Sequence, residues 1–344
     1  MTFLEQLGLE HPIVQAGMGG GIAGGELAGA VSAAGALGTV GTMAPDRMAA
    51  ALARARELAG TTPVAANLLV PFATRAHVDA LQRATVPLVV LHAGFDRQLV
   101  SQLRNNGSMV LQTVGTPEEA RRALDHGVDG LVVQGREAGG HLVGVEPALN
   151  AFARVRDEAK PAATKPLLLA GGIADAADVK QALDAGAAAA VAGTRFLLTE
   201  EATAHAEYKR RVMNAERTVE TQLFGFGWPM RHRVVPNAAT ERWCRSHDLG
   251  PRLLRTAYRL SVPLARLPRS VTNDLVHLQR AALPLFGPNA MLEGMPDRLA
   301  DATALYAGET ARRLDSVVPA ATAVTLLTGT TPAPSSQSPT IRSS

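Results

Sequence analysis

ALDHGVDGLVVQ at residues 123–134 returns as ALDAGAAAAVAG at residues 182–193. Each copy begins like a helix, continues through a glycine and ends in a run of small or apolar residues long enough for a strand. The two glycines, Gly127 and Gly186, suit the left-handed residue that commonly follows the end of a helix. The repeat therefore predicts a helix–strand unit that the chain uses more than once.

Eight apolar runs of this kind precede residue 200, with Gly or Pro at or just after the end of each. The predicted strands are Ile13–Ala16, Leu37–Val40, Val64–Val70, Leu88–His92, Met109–Val114, Gly130–Gln134, Pro166–Ala170 and Ala188–Ala192. Helical patterns lie between them, including Pro45–Ala59, Pro117–His126 and Asp175–Ala185. Eight successive strand–helix units predict an α/β fold of the TIM (β/α)8 barrel type, with parallel strands.

The alternation stops after about Thr199, which divides the predicted chain into three parts. Residues 1–199 form the barrel in this interpretation. Residues 200–327 are predicted as an additional C-terminal helical subdomain that covers the barrel mouth, with its terminal helices packed on the barrel. Residues 328–344 are rich in Thr, Pro and Ser, which is typical of a disordered tail.

Length and composition agree with a single large soluble unit. The chain has 344 residues, 47% of them hydrophobic, and its one cysteine, Cys244, cannot form an intramolecular disulfide. It shows neither the pattern of a secretory signal nor an apolar run long enough to span a membrane. We therefore expect a cytoplasmic protein that does not bind membranes. The sequence does not determine the oligomeric state, and a homodimer is compatible with it.

The charge distribution gives little indication of a nucleic-acid partner. The net charge is only +3, although residues 231–280 carry ten arginines against three acidic residues. Such a segment can attract a phosphorylated nucleotide or an acidic carrier protein, but a solvated helical surface is the favoured interpretation. Too few aromatic residues are interleaved with the arginines to stack the bases of a single strand.

The last two predicted strands end in motifs that suit a phosphate group. Strand seven is followed by Gly171-Gly172-Ile173 and strand eight by Gly193-Thr194-Arg195. In a (β/α)8 barrel a phosphate commonly binds after these two strands, where glycine amides and helix N-termini are exposed. We expect a phosphorylated ligand there.

Strand six leads into Gln134-Gly135-Arg136-Glu137-Ala138-Gly139-Gly140-His141. The paired glycines let the main chain approach a ligand closely, and the imidazole of His141 titrates near neutral pH. A GGH motif alone is more often a plain loop. Its place at the catalytic face of a barrel favours a cofactor-binding and proton-handling role.

The first loop offers a competing interpretation, since residues 19–24 match the GxGxxG dinucleotide fingerprint. A Rossmann site requires an acidic residue at the end of the second strand, which here ends in Val40-Gly41-Thr42. Eight strands also exceed the six of that fold. Glycines after the first strand suit the close approach of a flat ring system.

The combination of these motifs resembles the nitronate monooxygenase family of FMN-dependent barrels, once called 2-nitropropane dioxygenases. The resemblance covers about residues 3–325, and EAGGH at residues 137–141 is its most specific part. FMN-dependent enoyl-ACP reductases and NAD(P)H:quinone reductases share the same elements. The matching segments are residues 12–19 (PIVQAGMG), Asn67 in ANL, residues 134–141, residues 170–174 (AGGIA), residues 192–196 (AGTRF) and residues 306–310 (YAGET).

The resemblance implies an FMN site and no metal. The residues that it places around FMN are Gln15, Gly17, Met18, Gly19, Asn67, Gln134, Gly139, Gly171, Gly172, Val191, Ala192, Gly193 and Thr194. Asn67 and Gln134 would hydrogen-bond the flavin by their amides, and Gly139 would let the backbone approach it. His141 would be the catalytic residue, with Glu137 as a partner of its loop. His92 is a second imidazole candidate in the pocket, although a satisfied strand-end histidine is the favoured interpretation.

The implied reaction is oxidation of alkyl nitronates or nitroalkanes with O2 to carbonyl compounds and nitrite. His141 would act as the base or would hold the nitronate. One alternative is an NAD(P)H-dependent flavin reductase of quinones or enoyl thioesters, with His141 supplying a proton. A third interpretation is a barrel that binds a phosphorylated ligand without redox chemistry. The sequence does not identify the physiological substrate.

Overall fold

The computed structural model describes residues 1–162, 164–244, 249–263 and 276–329. Eight strands form one parallel sheet whose order is β1-β9-β8-β6-β5-β4-β3-β2, and a bridge between Val14 and Leu37 joins its two ends. The predicted (β/α)8 barrel is therefore confirmed. The described strands are β1 (Ile13–Gln15), β2 (Gly38–Val40), β3 (Val64–Leu69), β4 (Leu88–His92), β5 (Met109–Val114), β6 (Gly130–Gln134), β7 (Gly140–His141), β8 (Leu167–Ala170), β9 (Ala189–Ala192), β10 (Val219–Thr221) and β11 (His232–Val234).

The helices follow the strands as the sequence predicts. The described helices are α1 (Phe3–Leu7), α2 (Gly25–Ala33), α3 (Pro45–Ala59), α4 (Arg75–Arg83), α5 (Arg97–Asn105), α6 (Pro117–Asp125), α7 (Ala148–Arg154), α8 (Ala176–Asp184), α9 (Thr194–Leu197), α10 (Ala206–Met213), α11 (Ala238–Trp243), α12 (Arg252–Leu260) and α13 (Ala320–Thr328). Short 3₁₀ turns span Gly19–Gly21, Val70–Phe72, Asp297–Asp301 and Glu309–Arg313, and a π turn at Val155–Ala159 extends α7.

Two buried layers hold the barrel together. Alternate strand residues point inward and fill the barrel, as Val14, Leu88 and Leu168 do, and α1 closes the base with Phe3. The intervening residues point outward and pack against the helices in a second, larger layer. Because side chains alternate along a strand, each apolar run is buried on both faces.

Gly127 and Gly186 have φ values of +87° and +96° and end α6 and α8 as the repeat predicts. The eight predicted strands agree with the observed barrel strands to within one residue at each end.

The segment after residue 199, the cover, is predicted to be predominantly helical, and the structure shows two short strands in it besides its helices. It contributes β10 and β11, which pair antiparallel with each other, and β11 also pairs with β7 in the loop after β6. Strands of three residues with charged members such as Glu220 and Arg233 produce no apolar run that a sequence pattern could reveal. The helix α13 packs against α2 and α8, on the barrel wall.

Some sequence predictions fall outside the described residues. These include nearly all of the predicted tail, at residues 330–344, and part of the arginine-rich segment, at residues 245–248 and 264–275. Within the described ranges, no helix combines the length and the apolar character needed to cross a membrane.

Candidate active site

A cavity of about 280 Å³ lies at the carboxyl ends of the barrel strands, where barrel enzymes carry their sites. Every strand of the barrel contributes a residue to its wall. These residues are Gln15, Thr39, Asn67, His92, Thr113, Gln134, Ala170 and Val191. The segment after residue 199 covers the cavity with Tyr208, Trp228, Pro288, Asn289, Ala290 and Tyr306.

His141 lies in this wall because two groups of contacts fix the loop after β6. On one side, His141 pairs with His232 of β11. On the other, Gln134 donates from Nε2 to the carbonyl of His141 at 3.3 Å and accepts at Oε1 from the N–H of Val143 at 2.8 Å. The main chain that carries the imidazole is thus held from the barrel and from its cover.

The ring of His141 is surrounded by aromatic groups. It stacks on Trp228 with centroids 3.8 Å apart and lies 5.3 Å from the rings of both His232 and Tyr306. Its Nε2 atom is buried, and the described residues offer it no hydrogen-bond partner. Burial lowers the pKa of His141 well below its ordinary value, and His232 and His92 lower it further. His141 is therefore a neutral imidazole at neutral pH, with a nitrogen left for a ligand.

The two neighbouring histidines are also neutral. Burial lowers the pKa of His232 to about 4. Its Nδ1 lies 3.0 Å from the carbonyl of Met230, to which it donates, and its Nε2 accepts from the N–H of Phe224 at 3.4 Å. Burial likewise lowers the pKa of His92 to about 4, opposed by a hydrogen bond to the backbone of His141. His92 lines the cavity, and its hydrogen bond to the backbone of His141 connects β4 to the loop after β6.

Glu137 caps a helix. Its carboxylate accepts from the N–H of Ala148 at the first position of α7, with the shorter distance 2.9 Å. Its own carbonyl accepts from the N–H of Glu309 at 2.9 Å. Glu137 therefore ties the loop to its surroundings, as the sequence analysis expected.

The loops after β8 and β9 expose backbone amides to the cavity. Gly172 has a φ of +82°, a conformation that L side chains rarely adopt, and it lines the cavity together with Ile173, Gly193 and Thr194. Within the described ranges, no protein acceptor pairs with the N–H groups of Gly172, Ile173, Gly193 and Thr194. Thr194 accepts at Oγ1 from the N–H of Gly308 at 2.9 Å, which leaves its hydroxyl hydrogen for a ligand. These groups form an anion cradle.

The N-terminus of α8 does not add to this cradle. Asp175 accepts from the N–H of Ala177 at 3.0 Å, and Asp178 accepts from the N–H of Ala174 at 2.8 Å. Arg313 forms ion pairs with both carboxylates. The positive end of this helix is therefore neutralised by the protein itself, and the donors that lack a protein acceptor among the described residues are in the loop that precedes it.

Two predicted site residues, Gln15 and Asn67, use their side-chain amides to hydrogen-bond the backbone of neighbouring barrel strands. Gln15 accepts at Oε1 from the N–H of Thr39 at 2.9 Å, which extends the narrow seam between β1 and β2. Asn67 donates from Nδ2 to the carbonyl of Val90 at 3.0 Å. Thr39 Oγ1 is buried in the cavity wall and has no partner among the described residues. A polar group of a ligand beside Thr39 could form a hydrogen bond with this hydroxyl.

The structure brings the predicted site residues together in one wall, with Ala192 as the exception. Ala192 is buried in the layer between strands and helices and does not line the cavity. Gly139 lines it, but a Cβ there would lie 2.5 Å from the backbone of Ala307 and Gly308, so packing against this segment is what requires the glycine. The predicted site residues that line the cavity are His141, Gln15, Gly17, Met18, Gly19, Asn67, Gln134, Gly139, Gly171, Gly172, Val191, Gly193 and Thr194.

Sequence reasoning missed several lining residues. Thr39 and Thr113 stand near the ends of predicted strands, so strand register alone could have placed them. Tyr208 and Asn289 come from the cover, where no periodic pattern indicates which side chain faces the barrel.

A closed (β/α)8 barrel with an amide cradle after its last two strands and a buried imidazole after the sixth defines a class of ligand-binding barrel proteins. Within this class the chain belongs to the nitronate monooxygenase family, whose profile matches residues 2–80 and 70–329. The resemblance found in the sequence is therefore confirmed.

The individual relatives have names that describe different reactions. The chain is 34% identical over 244 residues to a 5-hydroxy-7a-methyl-1-oxo-octahydro-1H-indene-4-carboxyl-CoA dehydrogenase of Mycobacterium tuberculosis, a match that covers 69% of this chain and 66% of the relative. It is 33% identical to a nitronate monooxygenase of Pseudomonas aeruginosa over 64% of this chain and 75% of the relative. The chain spans slightly less than two thirds of the length of the first of these relatives.

Solved structures of two other proteins superimpose on this fold. Nitroalkane oxidase from Streptomyces ansochromogenes superimposes with a TM-score of 0.71 at 29% identity, covering 95% of this chain and 96% of that one. FabK from Thermotoga maritima gives a TM-score of 0.72 at 24% identity, covering 95% and 94%, and supports the fold alone.

Proposed function

We propose that this protein is an FMN-dependent oxidoreductase that converts alkyl nitronates, and nitroalkanes through them, to carbonyl compounds and nitrite with O2. One observation carries the proposal: an unpaired anion cradle and a buried, unpaired imidazole nitrogen lie in the wall of the same cavity. Family membership, together with the similarity to nitronate monooxygenases and to a nitroalkane oxidase, supports this reaction over others.

The residues present fit FMN. The amides of Gly172, Ile173, Gly193 and Thr194 and the Thr194 hydroxyl would hold its phosphate, since five donors without protein acceptors suit a dianion. The free hydroxyl of Thr39 would meet a polar group farther into the barrel. FMN supplies the capacity to accept two electrons from the substrate and to pass them on to O2.

His141 has the properties of a base for this substrate class. A neutral imidazole accepts a proton at Nε2, and the nearby C–H of a nitroalkane is acidic because the nitro group delocalises the resulting charge. Once protonated, the same nitrogen donates a hydrogen bond to a nitronate oxygen. Trp228 and Tyr306, whose rings lie beside the imidazole, would keep water away from it, which would strengthen that hydrogen bond.

A second candidate is oxidation or reduction of an acyl thioester, with NAD(P)H or another partner exchanging electrons with the flavin. It is favoured by the carboxyl-CoA dehydrogenase among the relatives, to which the chain is as similar as to the nitronate monooxygenases. The same cradle and imidazole serve this reaction, because both chemistries pass a proton at a carbon beside an electron-withdrawing group.

A parallel aerobic assay separates the candidates. Purified protein reconstituted with FMN is given propyl-2-nitronate, 2-nitropropane or propionate-3-nitronate, and in separate reactions a quinone or an enoyl thioester with NADH or NADPH. We expect nitrite and O2 consumption with the nitronates and no NAD(P)H oxidation above the rate of free FMN. Rapid NAD(P)H oxidation that depends on the quinone or on the thioester, without nitrite, would instead support the second candidate, and protein that takes up no FMN would exclude both.

A further inference from the structure

We propose that Trp228 is the positioning residue of the site: its indole face fixes the orientation of the His141 imidazole and closes it off from water. This inference rests on the proposed role of His141 as the proton-handling group. It assigns a task to a residue of the cover that lies 87 positions from the histidine in sequence.

The contact is close and nearly parallel. The two ring centroids are 3.8 Å apart with an angle of 26° between the planes, which is the geometry of stacking. Trp228 lines the cavity beside His141 and is 8% exposed. An imidazole held by one ring face keeps its edge, and therefore Nε2, free for a ligand.

Trp228 is itself held from both sides of the cavity. The edge of Phe72, from the turn after β3, meets its ring with centroids 5.0 Å apart and an angle of 88°. The N–H of Trp228 donates to the carbonyl of Gly225 at 3.0 Å, and its carbonyl accepts from the N–H of Met230 at 2.8 Å. The tight segment between β10 and β11 therefore presents the indole at a fixed place.

Stacking has two opposite effects on the protonation of His141. An indole face attracts an imidazolium, which favours the charged form, whereas exclusion of water disfavours it. Burial is the largest cause of the lowered pKa, and the titratable groups that face the ring, His92, His232 and Tyr306, are all neutral at neutral pH. Removing the indole should therefore raise the pKa of His141 by admitting water.

A fluorescence titration tests the contact without relying on turnover. The chain has two tryptophans, and Trp243 donates to the carbonyl of Ala281 outside the cavity wall. In the full-length Trp243→Phe protein, emission comes from Trp228 alone, and a stacked imidazolium quenches indole. We expect emission to fall as the pH is lowered through a step below 6.5, and His141→Asn to remove that step. A titration that His141→Asn leaves unchanged would overturn the proposal.

Kinetics test the consequence for the site. In Trp228→Ala we expect kcat for 2-nitropropane, whose proton His141 accepts, to fall about 10- to 100-fold through loss of orientation, and the acidic limb of kcat/KM to move up toward pH 6.5. Trp228→Phe, which keeps an aromatic face, should recover most of both. An acidic limb of kcat/KM that is unchanged in Trp228→Ala would contradict the proposal. If that variant does not fold, the kinetics of Trp228→Phe and the fluorescence titration test the proposal instead. If no nitronate is turned over, the proposed function is rejected. The fluorescence titration still tests the contact between Trp228 and His141 in that case.

Discussion

His141→Asn is expected to lower turnover of the nitroalkane 2-nitropropane by about 10²- to 10⁴-fold, the usual contribution of a positioned acid–base group, while FMN remains bound. The reason is that Nε2 of His141 is the buried nitrogen left unpaired in the cavity wall, whereas the anion cradle lies in separate loops after β8 and β9. Asparagine keeps a polar group of similar reach but cannot accept the proton. Steady-state kinetics and the flavin absorbance of the same sample measure both effects.

The matched control is His126→Asn, which changes an imidazole at the end of α6 that does not line the cavity. It should leave kcat unchanged. The pH profile gives a second check. Because the pKa of His141 is lowered, its base form persists below pH 6.5, so activity should stay constant on acidification to that point and fall only below it. Full turnover by His141→Asn would show that another group handles the proton.

Gly193→Asp is expected to weaken FMN binding by about 100-fold relative to Gly193→Asn, the scale of an unfavourable like-charge contact. The position tolerates a side chain, since its φ is −110° and the nearest atom to an added Cβ is Ala16 Cβ at 3.7 Å. The two variants have the same shape and differ only in charge. An aspartate carboxylate among the cradle amides would compete for them and repel a phosphate.

The dissociation constants of FMN for the two variants follow from fluorescence quenching of the flavin during reconstitution. Gly193→Ala serves as the control for side-chain volume alone and should bind FMN close to the level of the unchanged protein. Equal FMN affinities of Gly193→Asp and Gly193→Asn would show that the phosphate does not bind at the anion cradle.

The barrel could be predicted from the sequence because its signals are local. Each strand is buried on both faces and therefore appears as a continuous apolar run, and glycines such as Gly127 and Gly186 mark where helices end. The cover could not be predicted in the same way. β10 and β11 have three residues each and pair with each other, and β11 also pairs with β7, where His232 lies opposite His141, 91 residues earlier, so nothing in their immediate sequence indicates a sheet.

The candidate site was predictable where it depends on strand ends and less so elsewhere. Gly172, Gly193 and His141 follow barrel strands directly, and the topology brings them together. The functions of individual side chains depended on contacts made at long range. Gln134 was expected to bind the flavin, but its amide already holds the loop of His141, and the stacking of Trp228 on that ring has no counterpart in a local pattern.

Anaerobic stopped-flow mixing tests most directly whether a nitronate transfers its electrons to the bound flavin. The FMN-loaded protein is mixed with propyl-2-nitronate in one experiment and with NADH or NADPH in another, and the visible flavin absorbance is followed. Loss of flavin absorbance with the nitronate, and none with either nicotinamide on the same time scale, is the predicted result. Rapid bleaching by NADH or NADPH with no change on adding nitronate would contradict the account.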